Sequence, residues 1–176
     1  HNLRNIVKVS RNDSCMIAVK DDGQLFNIGG GEVVTSLTIT NAIDVSCGNG
    51  FVYILTNEKE LYSFGRNEYG QLGNGTQIEV TTPAKVADSN VEVISAGEGN
   101  HGGYATFDGS IYTAGSNDKG QLGHKNIDDK EMFEIVLNVA IESNVDKVVE
   151  QVGESQMVDI GLGITLNLKR DLKANS

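Results

Sequence analysis

The segment most suggestive of chemistry is Gly97–Gly102, which matches the pattern G-x-G-x-x-G. In dinucleotide-binding proteins this pattern joins a strand to a helix, because the helix N-terminus holds the pyrophosphate. Here the pattern is followed by Tyr104–Thr106 and then by Asp108-Gly109, which predict a strand and a tight turn. The sequence context therefore favours a structural role over a nucleotide cofactor.

Other chemistry-bearing residues are scattered. None of the histidines, His1, His101 and His124, has metal-ligand spacing to a cysteine or to another histidine. The acidic pair Asp128-Asp129 beside Lys130 is typical of a solvated loop. We find no nucleophile elbow, phosphate-binding loop or paired acid–base constellation. The sequence therefore predicts no catalytic residue, no metal and no cofactor, and a protein that is not an enzyme.

Composition narrows the class of partner. The chain has 176 residues and a formal net charge of −10, which disfavours nucleic acid because an acidic surface repels phosphates. No apolar stretch approaches the roughly 20 residues of a membrane-spanning helix. Cys15 and Cys47 form no C-x-x-C pair and no disulfide framework. This usage favours a cytoplasmic protein, with a virion or cell-surface location left open.

The elements that must position these residues follow an internal repeat. Leu61–Gly73 and Ile111–Gly123 match in register at a shift of 50 residues, and each ends in Gly-Gln-Leu-Gly. An upstream copy matches at a shift of 36, with Leu25–Gly29 at the place of Leu61–Gly65, but lacks that ending. A degenerate fourth copy places Val152–Val158 in the first part of the unit and Leu166–Leu168 where Leu61–Ser63 falls.

Each copy predicts a small antiparallel sheet. Short β-branched runs alternate with turns such as Asp21–Gly23, Asn57–Lys59 and Asp108-Gly109. A sheet of short strands buries both faces only between neighbouring sheets, which is the arrangement of propeller blades. We expect the residues that recur at matching positions in the two full copies to be structural, with Leu72 and Leu122 entering a neighbouring core. These residues are Gly65, Gly70, Gln71, Leu72, Gly73, Gly115, Gly120, Gln121, Leu122 and Gly123.

The run from Val45–Gly48 through Leu61–Gly65 and Asn67–Gly75 to Pro83–Val86 resembles the RCC1 repeat family. The resemblance is strong over residues 43–123 and weak elsewhere, and it implies an RCC1-like β-propeller. We expect an all-β chain that forms a single repeat domain over residues 1–176. Its repeat units are expected at about 5–40, 41–90, 91–144 and 145–170. About four units, two of them incomplete, are too few for the seven-bladed ring of the family. The chain is therefore expected to be an arc of a larger ring, as a fragment or as part of an assembly.

The resemblance leaves several functions open. The leading prediction is a non-catalytic protein–protein interaction scaffold, with a protein partner and with further propeller blades in cis or in trans. The alternatives are a structural or receptor-binding module of a phage particle or bacterial surface, and a guanine-nucleotide exchange factor for a small GTPase. Loop position makes five residues candidate contacts, namely Arg66, Glu68, Tyr69, Asn117 and Lys119.

Overall fold

The computed structural model describes residues 4–13, 16–28, 35–88, 90–137, 156–159 and 165–168, and every regular element in these ranges is a β-strand. The chain divides into two compact units, His1–Asn138 and Val139–Ser176. The strands are β1 (Ile6–Arg11), β2 (Met16–Lys20), β3 (Leu25–Asn27), β4 (Thr35–Ser36), β5 (Ala42–Cys47), β6 (Phe51–Thr56), β7 (Leu61–Gly65), β8 (Val80–Ala87), β9 (Val91–Ser95), β10 (His101–Thr106), β11 (Ile111–Gly115), β12 (Lys130–Leu137), β13 (Gln156–Asp159) and β14 (Thr165–Leu168).

The first unit contains three antiparallel four-stranded sheets, each with its strands in sequence order. We name them blade 1 (β1–β4), blade 2 (β5–β8) and blade 3 (β9–β12). Because neighbouring strands alternate in direction, successive connections lie at opposite ends of a blade. The β5–β6 and β7–β8 connections and their equivalents form one end, the loop face, and the β6–β7 turn and its equivalents form the other, the turn face.

The register confirms the 50-residue repeat. Phe51 pairs with Gly65 in blade 2, and His101 pairs with Gly115 in blade 3. Gly65 and Gly115 share a φ of 107°, a conformation that glycine adopts without strain. Strand β12 (Lys130–Leu137) is as long as β8, with 8 residues each.

The core lies between the blades, as the repeat predicted. Strand β6 is buried along its whole length, because alternate side chains enter two different cores. Val52 and Ile54 pack against blade 1, whereas Phe51, Tyr53 and Leu55 pack against β9 of blade 3. Two clusters result, and we name them the first core (Ile17, Val19, Leu25, Ala42, Val45, Cys47, Val52 and Ile54) and the second core (Phe51, Tyr53, Leu55, Leu61, Leu72, Val91, Ile94 and Ala96).

The second unit contains the hairpin β13–β14, which lies in the predicted fourth copy. Its register differs from the sequence alignment. Gln156 pairs with Leu168, 12 residues further on, whereas Phe51 pairs with Gly65, 14 residues further on. The alignment of Leu166 with Leu61 is therefore wrong, because the shorter connection brings Leu166 opposite Val158, as Ser63 is opposite Tyr53. The predicted single domain over residues 1–176 stays a prediction.

Candidate interaction face

The β7–β8 and β11–β12 loops of the loop face are each organised by one buried asparagine. Asn67 Oδ1 accepts a hydrogen bond from Leu72 N at 2.9 Å, and its Nδ2 donates to Thr76 O and Ile78 O at 2.8 and 3.1 Å. Asn117 repeats this pattern with Leu122 N, Asn126 O and Asp128 O. Both asparagines are fully buried. The side chain thus supplies backbone partners that an irregular loop would otherwise lack.

The glutamine of each Gly-Gln-Leu-Gly segment holds the tip of its loop. Gln71 Oε1 accepts from Tyr69 N at 2.9 Å, and Gln121 Oε1 accepts from Lys119 N at 2.8 Å. Gln121 Nε2 donates to Asp118 Oδ1 at 3.0 Å, whereas Gln71 Nε2 is buried without an acceptor. The equivalent acceptor, Glu68, is bound instead to Arg66 at 2.8 Å.

The leucine that follows connects the loop to the core. Leu72 is fully buried in the second core, beside Val91, Ile94 and Ala96 of blade 3. Its carbonyl accepts a hydrogen bond from Ser63 Oγ at 3.0 Å, and Leu122 O accepts one from Thr113 Oγ1 at 2.9 Å. The buried Tyr53 hydroxyl donates to Gln71 O at 2.5 Å, and desolvation raises the pKa of this phenol. The loops are therefore fixed to the blades that carry them.

Four of the five candidate contact residues project from this frame. Arg66, Glu68, Tyr69 and Lys119 are exposed. Asn117 differs from the expectation, because its side chain is fully buried and bonds within its own loop. Its loop position therefore does not make Asn117 a contact residue, and the exposed positions are those immediately after it.

A groove of about 470 Å³ lies between Tyr69 of blade 2 and the loops of blade 3. Asn100, His101, Asp118, Lys119 and Asp129 line the rest of it. Lys119 Nζ lies 3.2 Å from Asp118 Oδ2, and hydrogen bonds from Gln121 and then Lys119 lower the pKa of Asp118. The lining therefore combines two carboxyl groups with one lysine.

The loops of neighbouring blades are also bonded to each other. Asn49 Nδ2 donates to Asn100 Oδ1 at 3.0 Å, and Asn49 N donates to Gly99 O at 3.3 Å. Asn100 and His101 belong to the glycine-rich segment singled out in the sequence, where β10 begins at His101 and no helix follows. The sequence predicted a structural role for this segment but carried no signal that the segment lies beside Tyr69.

No group of three or more histidine, cysteine and acidic side chains within the described ranges could hold a metal ion. Over the same residues, no helix is long and apolar enough to cross a membrane. What the loop face offers chemically is hydrogen bonding, charge and one exposed aromatic ring.

Comparison with known proteins places these features in a family. A model described as Regulator of chromosome condensation (RCC1) repeat matches residues 59–102 and 108–136, and a second model with that description matches 42–71. X-linked retinitis pigmentosa GTPase regulator of Mus musculus is 32% identical over 124 residues, which are 65% of this chain and 12% of that protein. E3 ubiquitin-protein ligase HERC2 of Homo sapiens is 37% identical over 92 residues, which are 51% of this chain and 2% of the ligase.

The fold has solved counterparts. Prp20p of Saccharomyces cerevisiae, a protein with binding properties toward Gsp1p and histones, superimposes with a TM-score of 0.66 at 19% identity. The match covers 79% of this chain and 40% of Prp20p, so the described sheets correspond to part of a larger propeller. The chain likewise spans only a small part of the length of the relatives it matches. The repeated registers, the Gly-Gln-Leu-Gly loops and these matches together show that the chain belongs to the RCC1 repeat family.

Proposed function

We propose that the chain is a protein-interaction scaffold whose loop face binds a protein partner. The groove between blades 2 and 3 is the observation that carries this proposal. It combines an exposed tyrosine with charged and amide side chains, which is the composition of protein-binding surfaces. Its floor is rigid, because buried asparagine and glutamine side chains hold the loops that line it. A partner therefore binds a preformed surface and orders few loop residues.

The test compares proteins retained by the wild-type chain with those retained by a Tyr69→Ala, Lys119→Glu double variant. Both substitutions fall on exposed side chains that line the groove, so the fold should be kept. A matched control, Phe107→Ser, removes an aromatic side chain that is 82% exposed on the turn face. Quantitative proteomics would identify the partner, and titration of the purified partner would follow.

A partner that the wild type and the Phe107→Ser variant bind equally, and that the groove variant binds at least tenfold more weakly, supports the proposal. If purified partners bind all three proteins with the same affinity, the loop face is not the binding surface. The fold of each variant should be checked by circular dichroism before binding is compared.

A guanine-nucleotide exchange function is the second candidate. The similarity to a protein named a GTPase regulator, and to the fold of Prp20p, favours it. The test is the release of a fluorescent guanine nucleotide from purified small GTPases with and without this chain. If the wild type accelerates nucleotide release and the Tyr69→Ala, Lys119→Glu variant does not, the partner bound at the loop face is a small GTPase.

A further inference from the structure

The same tripeptide, Gly-Asn-Gly, occurs twice on the loop face of blade 2. Residues 48–50 form the β5–β6 loop, and residues 73–75 lie in the β7–β8 loop. An asparagine before a glycine is prone to lose its side-chain ammonia, because a glycine has no Cβ to shield its nitrogen from the preceding side chain. Both asparagines have the same sequence neighbours on either side, so a difference in their reactivity must come from the fold.

Deamidation of an Asn-Gly pair proceeds in two steps. The glycine nitrogen loses its proton and bonds to Cγ of the asparagine, and the side-chain nitrogen leaves as ammonia. Water then opens the resulting cyclic imide at either carbonyl, which gives an aspartate or an isoaspartate. The reaction consumes one water molecule and needs no oxidant or reductant. It requires a glycine N–H that no acceptor holds and an asparagine side chain that is free to turn.

The surroundings of Asn74 meet neither requirement. Gly75 N donates to Glu131 O of β12 at 2.8 Å, so an acceptor holds the proton that must be lost. Asn74 Oδ1 accepts hydrogen bonds from Asn67 Nδ2 at 3.1 Å and from the N and Oγ1 atoms of Thr76 at 3.1 and 2.9 Å. The attacking nitrogen and the side chain that it must reach are therefore both fixed.

The surroundings of Asn49 meet both requirements. Asn49 is exposed, and its side chain makes a single hydrogen bond within the described residues, from Nδ2 to Asn100 Oδ1 at 3.0 Å. Gly50 N donates to no acceptor in the same part of the chain. Gly50 and Gly75 nevertheless have the same φ of 79°. The two sites thus share the backbone conformation of the glycine and differ in what holds its N–H.

The reaction at Asn49 changes the charge where the loops of two blades meet. Asn100, which accepts from Asn49, belongs to blade 3 and lines the groove beside Tyr69. Deamidation replaces this amide donor with a carboxylate, which only accepts hydrogen bonds. Asn49 also lines a cavity of about 340 Å³ together with Asp13 and Glu98. The product therefore adds a negative charge to a part of the loop face that already carries two carboxyl groups.

We propose that Asn49 is a site of spontaneous deamidation in the folded protein, whereas Asn74 is protected by its own loop and by the contact of that loop with β12. Water is the co-reactant, and ammonia is released. The proposal concerns a covalent change of the chain itself and is independent of the partner bound at the loop face.

The test ages the purified chain at neutral pH in heavy-oxygen water, with and without urea. Trypsin separates the two sites, because Lys59 and Arg66 lie between them, and tandem mass spectrometry then measures the aspartate and isoaspartate at each site. In the folded chain, Asn49 should react at least roughly tenfold faster than Asn74, because reaction at Asn74 requires its hydrogen bonds to open first. In urea the two sites should react at similar rates, and each product should contain oxygen from the water.

Asn49→Gln is the matched variant. A glutamine must close a larger and less favourable ring, so position 49 should stay unmodified, and the exposure of this side chain should leave the fold intact. Equal rates at Asn49 and Asn74 in the folded chain overturn the proposal, and so does an Asn49 that reacts only in urea. The Tyr69→Ala, Lys119→Glu variant should age as the wild type does, which separates this result from a failure at the loop face.

Discussion

At the scale of single residues, the two buried asparagines organise the loops, because each side chain bonds to three backbone groups of its own loop. Asn67 and Asn117 both connect the start of a loop with its leucine and with two carbonyls further along. An unsatisfied buried donor costs about 1–3 kcal/mol, so the pairing of these two amide groups stabilises the loops. These residues hold the exposed side chains of the loop face in place without being exposed themselves.

Asn67→Ala should therefore destabilise the protein by about 2–4 kcal/mol, because Leu72 N loses its acceptor inside the core. Chemical denaturation followed by circular dichroism would measure the loss in the free energy of unfolding. The neighbouring exposed substitution Glu68→Ala should change it by no more than about 0.5 kcal/mol. Equal effects of the two substitutions would show that Asn67 does not organise the loop.

The turn face predicts a pH dependence. Hydrogen bonds from the Thr106 hydroxyl and then from Ser110 N lower the pKa of Asp108 below 3.8 in the folded protein. A lowered folded-state pKa stabilises the fold above the unfolded-state value, and this stabilisation is lost as the pH falls through the lowered pKa. The melting temperature of Asp108→Asn should therefore fall less than that of the wild type on acidification below about pH 4. If the melting temperatures of the two proteins fall by the same amount on acidification, Asp108 does not contribute to the pH dependence of stability.

The sequence predicts which residues of the two loops are equivalent, but it does not predict which of their side chains are exposed. The repeat shows that Asn117 is equivalent to Asn67 but does not show where their side chains point, so position alone predicts a contact at Asn117 that its burial contradicts. An asparagine in a glycine-rich loop serves equally well as a solvent-exposed or as a buried hydrogen-bonding residue. The distinction depends on the carbonyls of Asn126 and Asp128, which no local pattern places beside Asn117.

At the scale of elements, the two Gly-Gln-Leu-Gly loops have the same conformation but different neighbours. Gly70 and Gly120 have φ values of 75° and 73°. A Cβ on Gly70 would lie 2.4 Å from Glu131 Cα of β12, whereas a Cβ on Gly120 would have no heavy atom within 4 Å. Gly75 N also donates to Glu131 O at 2.8 Å, so the loop of blade 2 holds the fourth strand of blade 3.

Gly70→Ala and Gly120→Ala therefore form a matched pair. Gly120→Ala should cost about 1–2 kcal/mol, the penalty of a positive φ for a residue with a Cβ. Gly70→Ala should cost more, because the loop must also move away from β12. Thermal denaturation of the two variants would measure the difference. Equal losses of stability would mean that the loop does not pack on β12 in solution.

The strands themselves were largely predictable. Alternating β-branched runs gave the position of most strands in blades 1 to 3, and Asp-Gly gave the turns at Gly23 and Gly109, whose φ values are 82° and 85°. In blade 2 the same turn conformation falls on Lys59, with a φ of 65°, because position in the repeat outweighs the local preference for glycine. The shorter β13–β14 connection was missed, since register depends on pairing and not on residue spacing.

At the scale of the whole molecule, the blades are joined by one repeated serine bond as well as by their cores. Ser46→Ala should remove the acceptor of Ala96 N and lower the free energy of unfolding by about 1 kcal/mol. Native-state hydrogen exchange should show faster exchange at Ala96 N, while Cys47 N, held by Ser10, should keep its protection. Unchanged exchange at Ala96 N would show that this bond does not form in solution.

The contact between the β7–β8 loop of blade 2 and strand β12 of blade 3 limits how an array of blades can gain or lose units during evolution. One blade is the segment of sequence that repeats, but the loop of blade 2 packs on a strand of blade 3. The boundaries of the sequence repeat therefore differ from the boundaries of the packing unit. A duplicated blade inserted into the array therefore brings its own loop but depends on the following blade for the strand that the loop holds. Duplication of whole units preserves every such pairing, whereas a deletion that starts inside a blade leaves one loop and one strand unmatched.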